Sequence, residues 1–288
     1  MFLSPFDAKN TKRTPSSSGI KLLNNENLGE NLEKYYRYGE DWITRYLHRQ
    51  RVDRLAEVIS KYSEDATALD VGCGSGIYTV LLAAENLLTV GIDVSRNALL
   101  TAREWAESEG IRNRVHLINC SAESLPLRNN SFDLIVCSEL IEHLDIPENG
   151  VKEISRVLNC GANAIFTVPN LFSYYWMRFG FSYRLSRFLG RERNIVIERH
   201  TSFPFWRTLR LAGKNGLLVN QVTSTNIIPL PFSLWRHLIE YHLYIIGLLK
   251  RLEKLLAKKA PFRYLGSSLI VLLIKSARKP NVNVTQIK

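Results

Sequence analysis

The stretch Ala68-Leu-Asp-Val-Gly-Cys-Gly-Ser-Gly-Ile-Tyr-Thr79 decides how this chain is read. It opens as an apolar run ending in Asp70, passes through Gly72, Gly74 and Gly76, and continues into helix-compatible sequence. Strand, glycine turn and helix in that order bring backbone close to a bound ligand, because a side chain at a turn glycine would occupy the ligand's place. Working outward, strands are expected at 67–72, 88–93, 115–120, 132–138 and 162–168, with amphipathic helical runs such as 95–109 between them. Two further strands are expected at 217–224 and 268–275. Such alternation predicts an α/β fold with a mostly parallel sheet and helices on both faces.

The glycine spacing separates two kinds of ligand. Dinucleotide folds space their glycines G-x-G-x-x-G and seat a pyrophosphate on the helix that follows. Here the pattern is G-x-G-x-G, with Asp70 two residues ahead, and a carboxylate there suits a cationic ligand. Leu88-Thr-Val-Gly-Ile-Asp93 places a second acid seventeen residues beyond Gly76, at the end of the next strand, where it can accept both hydroxyls of a ribose. With these residues the chain resembles the class I S-adenosylmethionine-dependent methyltransferases, over about residues 50 to 225 and most specifically over 68–143. The resemblance implies a Rossmann-like seven-stranded sheet whose last two strands form a reversed hairpin at the edge. It also implies a cofactor cradle. Asp70 and the backbone of Gly72, Gly74 and Gly76 would meet the methionine half, Asp93 the ribose and Val94 the adenine. Asn119-Cys-Ser-Ala-Glu-Ser-Leu-Pro-Leu127 matches the family's third motif through Ala122 and Glu123, with Ser121 standing where an acid is usual. Ser138 would offer a backbone contact. Arg51, about twenty residues ahead of the turn, would fork onto the methionine carboxylate, with Arg54 as its rival.

Composition bounds the rest. A chain of 288 residues with 45% hydrophobic content holds one sizeable core. No apolar run approaches the ~18 residues that span a bilayer. Pro5, Asp7 and Lys9 stand where a signal peptide needs an apolar core. Cys73, Cys120, Cys137 and Cys160 fall at no metal or redox spacing and read as buried, reduced thiols, which suits a cytoplasmic setting with at most peripheral contact with the inner face of a membrane. Residues 1–27 read as a loosely attached terminus, and 28–66 as a helical lid with Tyr35, Tyr36 and Tyr38 as lid or core aromatics. The core runs over 67–226, with a basic aromatic insertion at 170–210. An amphipathic helical insertion at 227–266, the last strand at 267–276 and a basic tail at 277–288 complete it.

Methyl transfer from a sulfonium asks the protein to align donor and acceptor and to take a proton. Ser138-Glu-Leu-Ile-Glu-His-Leu144 follows the fourth strand directly. A helical turn there would bring Glu139, Glu142 and His143 to one face. Two carboxylates and an imidazole suit a divalent ion such as Mg, Mn or Zn. The resemblance implies the same set in ubiquinone O-methyltransferases and in small-RNA 2′-O-methyltransferases, completed by a later histidine. Here that is His200, fifty-seven residues after His143. The alternatives are His143, with Glu142, as a metal-free base, or a purely structural turn.

Charge divides the partners. Residues 67–150 carry five arginines, no lysine and twelve carboxylates, whereas 178–214 carry nine cations against Glu192 and Glu198. The basic, aromatic segment together with the amphipathic run over 234–258 favours O-methylation of a small-molecule, quinone-type or lipid- or glycan-linked acceptor at an anionic membrane surface, with RNA as the competing substrate. A cofactor-binding scaffold without catalysis is a further alternative, and a nicotinamide dehydrogenase is disfavoured by the glycine spacing.

Overall fold

The computed structural model describes residues 42–63, 65–170, 173, 205–228, 243–257 and 259–276. The N-terminal segment, Tyr35, Tyr36 and Tyr38, most of the 170–210 insertion with His200, and the tail lie outside the described residues.

Seven strands form one sheet in the order β3-β2-β1-β4-β5-β7-β6. They are β1 (Thr67–Val71), β2 (Leu88–Asp93), β3 (Val115–Asn119), β4 (Phe132–Ser138), β5 (Leu158–Pro169), β6 (Leu217–Thr225) and β7 (Ser268–Lys275). The first five pair in parallel, and β7 runs antiparallel to both β5 and β6. The C-terminal ends of β1, β2, β4, β5 and β6 therefore share one rim. The chain order reverses between β1 and β4, the switch point outside which open α/β sheets bind their ligands.

Alternation along the strands divides the interior into two layers. Leu69, Val71, Ile135, Cys137 and Phe166 face one way and pack with Val151 and Ile154 of α4 (Pro147–Val157) and Leu211 of α5 (Phe205–Lys214). Ala68, Leu134, Val136 and Ile165 face the other and meet α1 (Trp42–Ile59), α2 (Ile77–Ala84) and α3 (Arg96–Ser108) through Val52, Leu55, Val80 and Trp105. Trp105 is fully buried, and truncating such a side chain costs about 3–5 kcal/mol. All eight residues of α2 are buried, because the helix is wedged between sheet, α1 and α3.

Two expectations change. β5 begins at Leu158, directly after α4, because Leu158 already pairs with Phe132; Gly161, at φ 79°, marks the bulge before regular pairing resumes. Cys160 lies in that irregular stretch and is exposed, whereas Cys73 and Cys137 are buried and Cys120 partly so. All four are free thiols. Within the insertion at 227–266 the structure forms α6 (Leu243–Leu256) and a short turn at Phe262–Tyr264. No helix among the described residues is long and apolar enough to cross a membrane.

Candidate functional site

The glycine turn between β1 and α2 forms the floor of the rim. Gly72, Gly74 and Gly76 all adopt positive φ, at 70°, 52° and 95°, a region that L side chains enter at a cost of about 1–2 kcal/mol. Their surroundings differ. A Cβ on Gly76 would lie 2.7 Å from Ala102 Cβ and 3.0 Å from its Cα, so this glycine is needed for packing, whereas one on Gly72 would lie 2.7 Å from Cδ1 of the Leu140 side chain, which can turn aside. A Cβ on Gly74 would meet nothing within 4 Å. That glycine opens onto free space, the cradle a ligand requires.

Asp93 borders this space. Its Oδ2 accepts the Gly74 N–H at 2.9 Å and its Oδ1 accepts the Ser95 N–H at 2.8 Å. A carboxylate offers about four lone-pair positions, so acceptor capacity remains for hydroxyls. Asn119, at the end of β3, donates from Nδ2 to the Asp93 and Val94 carbonyls, both at 2.9 Å, and fixes the turn after β2. Val94 is 72% exposed, an apolar surface standing at the rim. Ser95 instead caps α3.

Asp70 departs from expectation. It is 1% exposed and accepts a 2.7 Å hydrogen bond from Thr79 Oγ1 in the first turn of α2. The side chain braces the turn from below and presents no open carboxylate to a ligand. Burial raises its pKa to about 7, with the Thr79 bond opposing and the nearby Asp93 charge assisting.

The loop after β3 carries Ala122, which is buried, and Glu123, whose Oε1 accepts the Ile146 N–H at 2.9 Å. Arg156 pins this loop from α4, donating to the Leu127 and Leu125 carbonyls at 2.7 and 2.9 Å while paired with Glu153 at 2.7 Å.

The predicted helical turn over Glu139–His143 does not form. Glu139 leaves β4 at φ 50° and donates its N–H across to the Thr167 carbonyl at 3.0 Å, which holds it outside the 3-10 turn Ile141–His143. The i, i+3, i+4 face is therefore lost. Its Oε1 is taken by Arg51 Nη1 at 2.8 Å and by the Thr167 and Ser268 hydroxyls at 3.2 and 3.4 Å. Glu142 is buried, and burial together with the Glu139 charge raises its pKa to about 8. His143 is exposed on the rim. No group of three or more His, Cys, Asp or Glu suited to a metal ion occurs among the described residues, so Glu139, Glu142 and His143 do not fit the expected set. His200 lies outside them.

Arg51 is 5% exposed, its guanidinium engaged by Glu139 and by His48 Nδ1. The rival Arg54 approaches Glu57 at 3.6 Å. Ser138 Oγ shares a 2.8 Å hydrogen bond with Thr167 Oγ1. Thr79, Thr167, Ser268 and Asn119 were not singled out by sequence. Thr79, one turn into the helix after the glycines, carried the best available signal.

A glycine cradle at the switch point, an acid closing the second strand and five parallel strands with a reversed seventh define an α/β protein with a candidate small-molecule site at its rim. A family model described as "Methyltransferase domain" matches residues 69–166. The ubiquinone biosynthesis O-methyltransferase of Methylococcus capsulatus is 32% identical over 164 residues, covering 54% of this chain and 68% of that protein. Its counterpart in Coxiella burnetii is 26% identical, covering 54% and 66%. A solved SAM-dependent methyltransferase from Thermotoga maritima superposes with TM-score 0.51 at 17% identity, covering 86% of this chain and 99% of that one, a likeness of fold alone. The chain belongs to the class I S-adenosylmethionine-dependent methyltransferases.

Proposed function

We propose that the chain transfers the S-adenosylmethionine methyl group to an oxygen of a quinone-type or lipid-linked small molecule. The observation that supports it most is the 32% identity over 164 residues to an O-methyltransferase of ubiquinone biosynthesis. The cofactor fits the open face of Gly74: the turn backbone would lie against its methionine half, Asp93 would accept the ribose hydroxyls, and Val94 and Ala122 would border the adenine. The cofactor supplies an electron-poor methyl carbon, and the protein supplies alignment and a proton acceptor. His143 is the candidate acceptor. It follows β4 on the rim and is exposed, and imidazole is the side chain suited to taking a hydroxyl proton near neutral pH. Buried Glu142 beside it backs this turn. No step passes through a metal, because Glu139 is bound to Arg51.

A tritiated-methyl transfer assay on fractionated lipid, quinone and RNA extracts tests the reading. Label in an alkali-stable, lipid-extractable ether supports it. Label confined to RNA, or to nitrogen or carbon, contradicts it.

A further inference from the structure

α6 presents a face that the core does not use. Ile245, Leu248, Leu252 and Leu255 are 43%, 57%, 48% and 64% exposed. Their 3-4-3 spacing puts them in a stripe about 80° wide. The helix contains one acid, Glu253, which is 3% exposed and turned inward, where it accepts the Ile227 N–H. The cations Lys250 and Arg251 are exposed, with Arg251 bordering the stripe. Lys254 reaches Glu57 of α1 at 2.6 Å, and the Ala257 carbonyl accepts from Thr223 of β6 at 3.1 Å. These contacts, with the Glu253 bond to the residue just past β6, hold the helix against α1 and the β6 edge of the sheet.

We infer that this face of α6 seats the protein on an anionic lipid bilayer, which would bring a lipid-borne acceptor to the protein. The inference deepens the proposed function and rests on it for the acceptor. An apolar stripe bordered on one side by a cation, with the lone acid turned inward, fits a helix lying in the headgroup plane. The chain's net charge of +11 favours an anionic surface. A second copy fits poorly, because a two-fold contact through the stripe would bring the bordering arginines together. A nucleic acid also fits poorly, since aliphatic side chains offer bases nothing to stack on.

The test is co-sedimentation of the full chain with vesicles of phosphatidylcholine alone or mixed with phosphatidylglycerol, at low and high salt. Wild type is expected to bind the anionic vesicles, less at high salt. Leu248→Glu/Leu252→Glu and, separately, Arg251→Glu should weaken binding, the double variant by about tenfold or more. Leu255→Ser serves if the double variant loses its thermal transition. S-adenosylhomocysteine affinity, read by calorimetry, should be unchanged in all of them. Absent wild-type binding, or equal binding by the variants, overturns the inference. So does a dimer that the variants split, or an RNA gel shift that they abolish. Vesicle binding without methyl transfer to lipid extract refutes the acceptor reading but supports the surface.

Discussion

Arg51 Nη1 stands 2.8 Å from Glu139 Oε1, joining α1 to the end of β4 across eighty-eight residues of sequence. The pair ties α1 to the rim and engages the Glu139 carboxylate oxygen. Arg51 is nearly covered, so removing its partner leaves a buried charge, which costs about 3 kcal/mol or more in a fully buried pair and less here because Glu139 is a quarter exposed. Glu139→Gln should lower stability by about 1–3 kcal/mol in denaturant unfolding. Arg51→Met/Glu139→Leu should recover part of that loss. If Arg51 also reaches the cofactor carboxylate, Arg51→Met alone should weaken S-adenosylhomocysteine binding by tenfold or more, roughly the worth of one charge-assisted contact.

The three turn glycines should separate folding from binding. Gly76→Ala forces a 2.7 Å contact on Ala102 at positive φ and should lower the melting temperature clearly, and Gly72→Ala should lower it less, because the Leu140 side chain can turn aside. Gly74→Ala meets open space and should cost stability only the ~1–2 kcal/mol of its backbone conformation. Calorimetry should nonetheless find its cofactor affinity reduced, since the new methyl group points into the cradle.

Two acids each make stability fall with rising pH, opposed up to about pH 6.5 by partly buried His48, whose pKa burial and the Arg51 charge lower to about 3. Asp70 and Glu142 have folded-state pKa values raised to about 7 and about 8, above the ~4 of the unfolded chain. The folded protein therefore holds protons that the unfolded chain has released, and stability declines from about pH 4 up to about pH 7 for Asp70 and about pH 8 for Glu142. Asp70→Asn should reduce that slope from about pH 4 to about pH 7, and Glu142→Gln should reduce it from about pH 4 to about pH 8. Melting temperatures from pH 4 to 9 check both, and an unchanged slope in both variants would contradict the burial of these carboxylates.

His143→Ala should reduce methyl transfer by about 10²–10³ with cofactor affinity unchanged. Chelator added to the wild-type assay should leave the rate as it was. Loss of activity on chelation, restored by a divalent ion, would reinstate the metal.

Much of this was legible in the chain. The seven strands follow from apolar runs punctuated by glycines and acids, and Gly72, Gly74, Gly76 and Asp93 come together as their spacing implies. What escaped depends on contacts distant in sequence. Nothing local shows that a non-glycine residue, Glu139, takes a left-handed backbone, because the cause is Thr167 on the neighbouring strand. Nor does sequence show that Asp70 is covered by Thr79, nine residues on, since that depends on how α2 docks. The spacing of Glu139, Glu142 and His143 was correct as a helical pattern, and the helix is what the fold withholds.

Asp93 and the open face of Gly74 are the proposed seat of S-adenosylmethionine. Calorimetric titration of the wild type and Asp93→Ala with S-adenosylhomocysteine and with NAD tests it most directly. Wild type should bind S-adenosylhomocysteine at one site and ignore NAD, and Asp93→Ala should lose about 2 kcal/mol or more of that binding, the share expected of hydrogen bonds to a charged group. Equal binding by the variant, or a preference for NAD, would contradict the account.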